Sequence, residues 1–450
     1  MKKASKLTFL LPWFICSLGA LFYSYEYFLR IAPSVMTNDL VRFFHINEGT
    51  LGNLSGFYYY VYTPMQLVAG VLMDRYGPRR LLTIASLSCV LGSFLFAATK
   101  QLWIAEIGRF LIGFGSAFAF VGVLKLATIW LPSRYFAMFS GLATALGMLG
   151  AIAGNLVLTD LVSLIGWQET IYLSGVFGIA VALLIGLFVR DQDLDRKKVV
   201  YNIDLPQVIH NLWSIMKSSQ MWIAGIIGGL LYVSTSAFAE LWGNPYLRVA
   251  HGFTPDQAAV AVSFIFAGWV VGGPLAGWIS DTIKRRSLPL TINSLIAAAL
   301  ISVILFIPNL STWDVYALLF IFGVFSGVQV TAFAIGREIS SPQAAGSAIA
   351  FTNMVVMLSG VIFQPFIGYL LDFLGNGKMV NKVPVFTITD YQIALVIIPI
   401  SLVISAVMSQ YFLKETYCNQ ISVEEETVAG IPNQLGGISV ATRANMLPNS

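Results

Sequence analysis

The sequence predicts an all-α membrane protein: twelve transmembrane helices arranged as two pseudo-symmetric six-helix bundles. Three observations carry this. Hydrophobic residues make up 57% of the 450 and charged residues only 11%, where a soluble chain carries roughly a quarter charged. Twelve apolar runs each approach the ~20 residues that a helix needs to cross a bilayer. A polar stretch at about 190–220 parts these runs into two sets of six, and a loop of the first set reappears, degraded, 207 residues later in the second.

The runs lie near 9–32, 51–73, 81–99, 103–130, 136–158, 168–189, 221–246, 257–279, 288–308, 313–335, 346–371 and 391–413. The first follows Lys2, Lys3 and Lys6 as a signal peptide would, but it is too long and no small-residue cleavage site closes it. With the N-terminus in the cytoplasm, Arg75, Arg79, Arg80, Arg134, Arg190, Arg196, Lys197, Lys198, Lys217, Lys284, Arg285, Arg286 and Arg337 fall in inner loops, while Arg42, Lys100, Arg248, Lys378 and Lys382 lie outside. Basic residues concentrate on the cytoplasmic side of membrane proteins, so both termini are placed inside and the chain in the cell inner membrane. The expected organisation is a first bundle at 1–190, a cytoplasmic linker at 191–220, a second bundle at 221–414 and a disordered tail at 415–450. Within the linker, Leu205, Val208, Ile209, Leu212, Trp213 and Met216 recur at helical spacing opposite Gln207, His210, Asn211, Ser214 and Lys217, an amphipathic helix for the membrane face. Trp103, Trp130, Trp167, Trp242, Trp278 and Trp313 fall near span ends, where aromatic anchors sit.

Several function classes are excluded. Cys16, Cys89 and Cys418 are far apart, and His45, His210 and His251 fall in loops or at the interface, so neither a metal centre nor a nucleophile constellation is predicted. No GxxxxGK[ST] phosphate loop occurs. The chain is read as no enzyme, with no cofactor, no metal and no nucleic-acid partner.

The second and third spans are joined by Gly70-Val-Leu-Met-Asp74-Arg75-Tyr-Gly77-Pro-Arg79-Arg80, and Gly277-Trp-Ile-Ser-Asp281-Thr-Ile-Lys284-Arg285-Arg286 stands at the corresponding place of the second half. The first of these resembles the signature loop of the major facilitator superfamily. Glu106-Ile-Gly-Arg109-Phe-Leu-Ile-Gly113-Phe-Gly115 resembles that family's arginine–glycine pattern in the fourth helix. Gly141, Gly147, Gly150 and Gly154 resemble its glycine-rich antiporter motif without the proline, and close helix packing also explains them. The stretch from Gly113 to Leu131 is similar to the branch of lysosomal dipeptide transporters and related bacterial permeases. Ser116 and Ala117 replace an acidic residue of that branch, so a peptide-amine site is not implied there. The resemblance implies a secondary transporter that moves a small polar solute (an organic anion, amino acid or short peptide) by alternating access with proton coupling. The other reading is a non-transporting membrane sensor or partner-binding protein on the same fold. The expected partners are the solute, protons and the lipid bilayer, the chain acting as a monomer.

Ionisable residues inside a membrane are costly and mark function. Glu26 and Arg30 are four apart, and Glu106 and Arg109 three apart, spacings that pair opposite charges on one face. Each pair serves either neutralisation or substrate and proton movement. Glu240 and Lys125 have no opposite charge at such spacing. The resemblance places both on cavity-lining helices. Lys125 either faces the cavity, where it suits a carboxylate, or snorkels to the inner surface. Sixteen residues separate Arg109 from Lys125, about 24 Å on a straight helix, so the two do not share one substrate group. Lys125, Arg30, Tyr232, Gln329 and Asn353 are the expected substrate contacts, and Glu240, Glu26, Glu106 and Arg109 the proton-coupling groups. The signature residues Gly70, Asp74, Arg75, Gly77, Arg79 and Arg80, with Asp281, Arg285 and Arg286, form the expected latch between states. There the glycines allow close approach, and bases hold an aspartate that the helix dipole disfavours.

Overall fold

A computed structural model describes residues 6–191, 205–341, 344–375, 379–380 and 383–419. Lys2, Lys3, the linker residues 192–204 and the tail beyond 419 therefore lie outside the described residues. In chain order the helices are α1 (Lys6–Val35), α2 (Thr37–Phe44), α3 (Glu48–Tyr76), α4 (Pro78–Ala98), α5 (Leu102–Trp130), α6 (Ser133–Ile165) and α7 (Trp167–Phe188). After the linker come α8 (Leu205–Lys217), α9 (Ser219–Ala250), α10 (Pro255–Ile283), α11 (Ser287–Phe306), α12 (Thr312–Glu338), α13 (Ala345–Leu374) and α14 (Ile388–Tyr411). Among the described residues ten helices are long and apolar enough to cross a membrane, namely α4–α7 and α9–α14. The more polar α1 and α3 have comparable lengths, 30 and 29 residues. Among the described residues, β1 (Met379–Val380) and β2 (Val383–Pro384), paired antiparallel, are the departure from an all-helical chain.

Local chemistry sets the boundaries. Thr254 with Gln257, Ser311 with Asp314 and Thr387 with Asp390 form capping boxes that satisfy the first amides of α10, α12 and α14. Gly77, at φ 82°, turns the chain between α3 and α4, and Pro78 opens the next helix. Outward faces carry Ile84, Leu91, Leu164, Leu183, Leu187 and Val403 exposed, as a lipid solvent allows. On α8 the predicted apolar face leaves Ile209, Trp213 and Met216 exposed. Of the expected anchors, Trp103, Trp278 and Trp313 are exposed. Trp130, Trp167 and Trp242 are instead buried: Trp130 donates to Arg190 O and Trp242 to Gln364 O, both at 3.0 Å, and Trp167 packs on Phe43 and Phe96. Nearness to a span end does not say whether a ring faces lipid or a neighbouring helix.

Glycines bring the helices together. A Cβ on Gly147, Gly150 or Gly154 of α6 would strike Tyr23, Ser24 or Ile31 of α1. Gly52 of α3 lies against the Gln364 backbone of α13, and Gly368 of α13 against that of Glu48. At that end Asp372 accepts from Glu48 N at 3.0 Å and Gly49 N at 2.7 Å, capping α3 from another helix. Further along the same seam Asn353 donates to Gln66 Oε1 at 2.9 Å. Asn244 of α9 donates to Ser34 of α1 at 3.1 Å and to Asn155 of α6 at 3.3 Å.

A candidate substrate and proton site

The centre of the molecule holds four fully or nearly fully buried charges, Glu26, Arg30, Arg109 and Glu240. Their helices position them by simple phase. Glu26 and Arg30 share one face of α1, and Arg30 Nη2 reaches Glu26 Oε1 at 2.9 Å and Oε2 at 3.1 Å. Tyr58 and Tyr62, four apart on α3, stack with ring centroids 5.3 Å apart and face the same guanidinium. Arg30 lies 4.2 Å from the Tyr27 ring centre, 5.1 Å from Tyr58 and 5.0 Å from Tyr62, an aromatic cage for a cation.

Tyrosine hydroxyls close the network, since each can accept and donate. Arg30 Nε donates to Tyr58 Oη at 2.9 Å, and that hydroxyl donates to Glu26 Oε2 at 2.9 Å. Arg30 Nη1 donates to Tyr232 Oη at 3.2 Å, which donates to Glu240 Oε1 at 3.2 Å. Tyr59 donates to the other oxygen of Glu240, and the Glu240 carboxylate stands 3.8 Å from Arg30 Nη1. Taking a charge out of water is repaid only where its partners are this complete.

Glu240 reaches the cluster because α9 is not regular. Eight residues of α-helix would leave Tyr232 and Glu240 about 12 Å and about 80° apart. Ser234–Trp242 runs instead as a π-helix, which re-phases Glu240 toward the Tyr232 hydroxyl. Wide turns of this kind recur at functional sites. Helix α13 props the segment, with Gln364 donating to Ser236 O at 2.7 Å and Ser359 bonded to the Ser236 hydroxyl at 2.9 Å.

Arg109 occupies the same core in another way. Its guanidinium donates to the carbonyls of Leu29 at 3.0 Å, Arg30 at 3.3 Å and Ser55 at 3.5 Å. The expected pairing with Glu106 does not form among the described residues: Arg109 turns inward toward α1 and α3, and Glu106 is half-buried on another side of α5. Lys125, read as facing the cavity or snorkelling, bonds Asp74 of α3 at 2.5 Å, the two side chains being 20% and 41% exposed. It therefore stands at the signature-loop end and not in the central cluster. Asn353 is likewise engaged with Gln66. Gln329, on the short 3-10 segment of α12, is buried against Gly228 of α9 with its Nε2 unpartnered. Buried Thr63, Gln66 and Thr235 also keep a polar atom without a partner, a pattern that native cores avoid without reason.

The latch residues form contacts local to each half. Arg79 donates to Gly186 O at 2.7 Å and its amide to Asp191 at 2.7 Å; Arg75 lies over the Tyr76 ring, and Arg80 and Arg285 are exposed. Asp281 bonds Arg286 at 2.7 Å, and Arg286 bonds Glu338 at 2.6 Å. Of the two glycines expected to allow close approach, Gly77 does so beside Asp191, whereas Gly70 has open space around it. The predicted tail also begins ordered, because Glu415 accepts from Arg286 N at 2.7 Å and from the amide and hydroxyl of Ser287 at 3.0 and 2.7 Å.

By sequence, Tyr58, Tyr59 and Tyr62 read as packing or interface aromatics, and nothing singles out Tyr27. The signal that singles out the pair on α3 is the recurrence of Tyr58 and Tyr62 at helical spacing in the span that follows the one carrying Arg30.

A sequence model of the Major Facilitator Superfamily matches residues 15–364. The "Probable sulfoacetate transporter SauU" of Cupriavidus necator is 24% identical over 80% of this chain and 88% of its own length. The "Probable galactarate/D-glucarate transporter GudP" of Escherichia coli is 20% identical over 79% and 87%. The "Membrane sensor protein UhpC" of Salmonella typhimurium is 22% identical over 75% and 80%. Among solved structures, a bacterial homologue of the human lysosomal transporter Spinster, inward-facing and occupied, matches with a TM-score of 0.74 at 15% identity. That match covers 89% of this chain and 96% of that one.

Proposed function

This chain belongs to the Major Facilitator Superfamily and is a multi-pass membrane protein, and we propose that it carries a small organic anion across the inner membrane by alternating access, coupled to protons. In this reading α1 and α3 join the ten apolar helices to give twelve spans in two six-helix bundles, α1–α7 and α9–α14 without the short α2. The termini lie in the cytoplasm and α8 on the membrane face. The observation that carries the proposal is Arg30, a caged and buried guanidinium paired with one acid of its own helix and one of α9. Protonating those acids releases the fork of donors to a carboxylate, sulfonate or phosphate, which guanidinium binds bidentately. The site thereby couples proton and anion without a separate device. The relatives named for sulfoacetate and for galactarate or glucarate support the anion class. The unpartnered Gln329, Thr63 and Thr235 are available to the cargo's hydroxyl or carbonyl groups.

The test is counterflow in proteoliposomes with labelled sulfoacetate, D-glucarate and glucose 6-phosphate. At least one should exchange in a saturable way, and Arg30→Lys, which keeps the charge but loses the planar fork, should reduce exchange at least about 100-fold, or ~3 kcal/mol. Unimpaired exchange by a well-folded Arg30→Lys protein would remove Arg30 from the site. A sensor reading has one support, the relative named as a membrane sensor. It predicts Arg30-dependent thermal stabilisation by the anion with no exchange.

A further inference from the structure

We infer that the cargo is a doubly charged anion carried with two protons, one on Glu26 and one on Glu240. This inference rests on the anion-transport reading and adds the charge count to it. Every charged group facing the cluster can be named. Helix α1 contributes Glu26 and Arg30, α5 contributes Arg109, and α9 contributes Glu240; Tyr23 and Tyr27 of α1, Tyr58, Tyr59 and Tyr62 of α3 and Tyr232 of α9 line the cluster as neutral phenols, and the buried Cys89 thiol of α4 lies behind Glu26. Two arginines against two carboxylates sum to zero, and all four are at most 2% exposed.

That balance constrains loading. Both carboxylates lean on one guanidinium, Glu26 at 2.9 Å and Glu240 at 3.8 Å. Arg109 is held away from both, because its two Nη groups donate to the carbonyls of Leu29, Arg30 and Ser55 and only its buried Nε is without a partner. An anion that occupies the Arg30 fork displaces both acids from their shared cation, and a buried carboxylate without a cation is far costlier than a protonated one. Each acid therefore takes a proton from the compartment the anion comes from and gives it up on the other side, when the anion leaves and the carboxylate returns to Arg30. With two protons on, the cluster carries two uncompensated positive charges, which a dianion cancels and a monoanion does not. The tyrosine hydroxyls suit this exchange, since those of Tyr58, Tyr59 and Tyr232 that now donate to carboxylates can turn to donate to the anion.

The experiment uses wild-type protein in proteoliposomes with the three dianions of the counterflow test, and isethionate and gluconate, whose acids do not cross a bilayer unaided, as monoanion probes. Each coupled proton crossing one pH unit is worth about 1.4 kcal/mol, a tenfold gradient. The expected result is accumulation of the exchanging dianion to about 100-fold per pH unit, no effect of an imposed membrane potential, and no accumulation of the monoanions. Glu240→Gln, left with one proton site, should fall to about tenfold per pH unit and become sensitive to potential, since one proton then accompanies two negative charges. Glu26→Gln should behave likewise. Should neither variant reach the membrane, proton uptake on anion binding to the detergent-solubilised wild type decides, with two protons per anion expected. Accumulation of about tenfold per pH unit by the wild type, one proton per bound anion, or equal handling of a monoanion overturns the inference while leaving anion transport intact. If none of the anions exchanges, the transport reading falls and this inference falls with it.

Discussion

At the scale of single residues, the carbonyl of Leu29 would ordinarily accept from the amide four positions on, but that position is Pro33, which has no N–H. Arg109 supplies the donor from α5 at 3.0 Å and so holds α1 at the turn that carries Arg30. Removing the guanidinium strands a buried carbonyl, a loss of about 2 kcal/mol. Arg109→Met should therefore lower the thermal midpoint in detergent, and adding Pro33→Ala, which restores an amide, should recover roughly half of the loss. Strictly additive effects in that double-mutant cycle would show that the two residues are not partners. The pairing explains why sequence spacing misassigned Arg109 to Glu106. A three-residue interval says that two side chains lie on neighbouring parts of a helix surface, but not which neighbour the surface meets. A proline four positions after a carbonyl in α1 is a readable sign of an orphan acceptor, though nothing in one dimension says which donor fills it. Glu26 and Arg30 were legible because their contact is internal to a helix. Glu240 looked partnerless because Arg30 is 210 positions away in the chain.

Among elements, the two signature loops show how a repeat is conserved in chemistry more than in residues. Arg79 N gives its hydrogen bond to Asp191, just past α7, and Arg286 N gives its own to Glu415, just past α14. In each half a carboxylate following the last helix caps the first turn of the third. The offset of 207 aligns the two arginines, and the loops were legible for that reason. The capping acids were not, because they sit in polar stretches of unequal length that composition assigns to linker and tail. Glu415 is half-buried, which alone would raise its pKa, but the Ser287 hydroxyl and the amides of Arg286, Ser287 and Tyr417 outweigh burial and hold it below the ordinary carboxylate value of 4.5. A group depressed on folding stabilises the fold above its unfolded value and ceases to do so as pH falls through its folded value. Glu415→Gln should thus lower the thermal midpoint by about one degree at neutral pH, a loss on the order of 1 kcal/mol. The difference from wild type should close as the pH is taken below 4.5. A gap that persists in acid, or that widens there, would mean that the tail is held by something other than this carboxylate.

The all-helical membrane character was legible because lipid imposes a simple rule: a span must be long, apolar and internally hydrogen-bonded. Two features of the whole were not legible. The π-helical stretch of α9 leaves no mark in hydropathy, and the closed end depends on contacts between α3 and α13, more than 300 positions apart. Closure at the Glu48 end rests on Gly49, Gly52 and Gly368, where any Cβ would meet the opposing helix, and on Asp372, whose two oxygens accept the first two amides of α3. A carboxylate at a helix N-terminus satisfies orphan donors and opposes the dipole, a contribution of about 1–2 kcal/mol. Here cap and helix belong to different halves of the chain, so in the proposed alternating-access cycle the contact exists only while this end is shut. Its loss must therefore weigh on the equilibrium between closed and open, and 1.4 kcal/mol is about a tenfold change in that ratio. Asp372→Ala should leave membrane insertion intact and increase the open population roughly tenfold, whereas Asp372→Asn, which keeps one acceptor, should do less. Spin labels at His45 and Phe373, both exposed beside the seam, would report the shift as a longer distance component in pulsed electron–electron resonance. Because the cap acts before any cargo enters, the shift should appear in protein without ligand. An unchanged distance distribution in a well-folded Asp372→Ala protein would show that glycine packing alone holds this end closed.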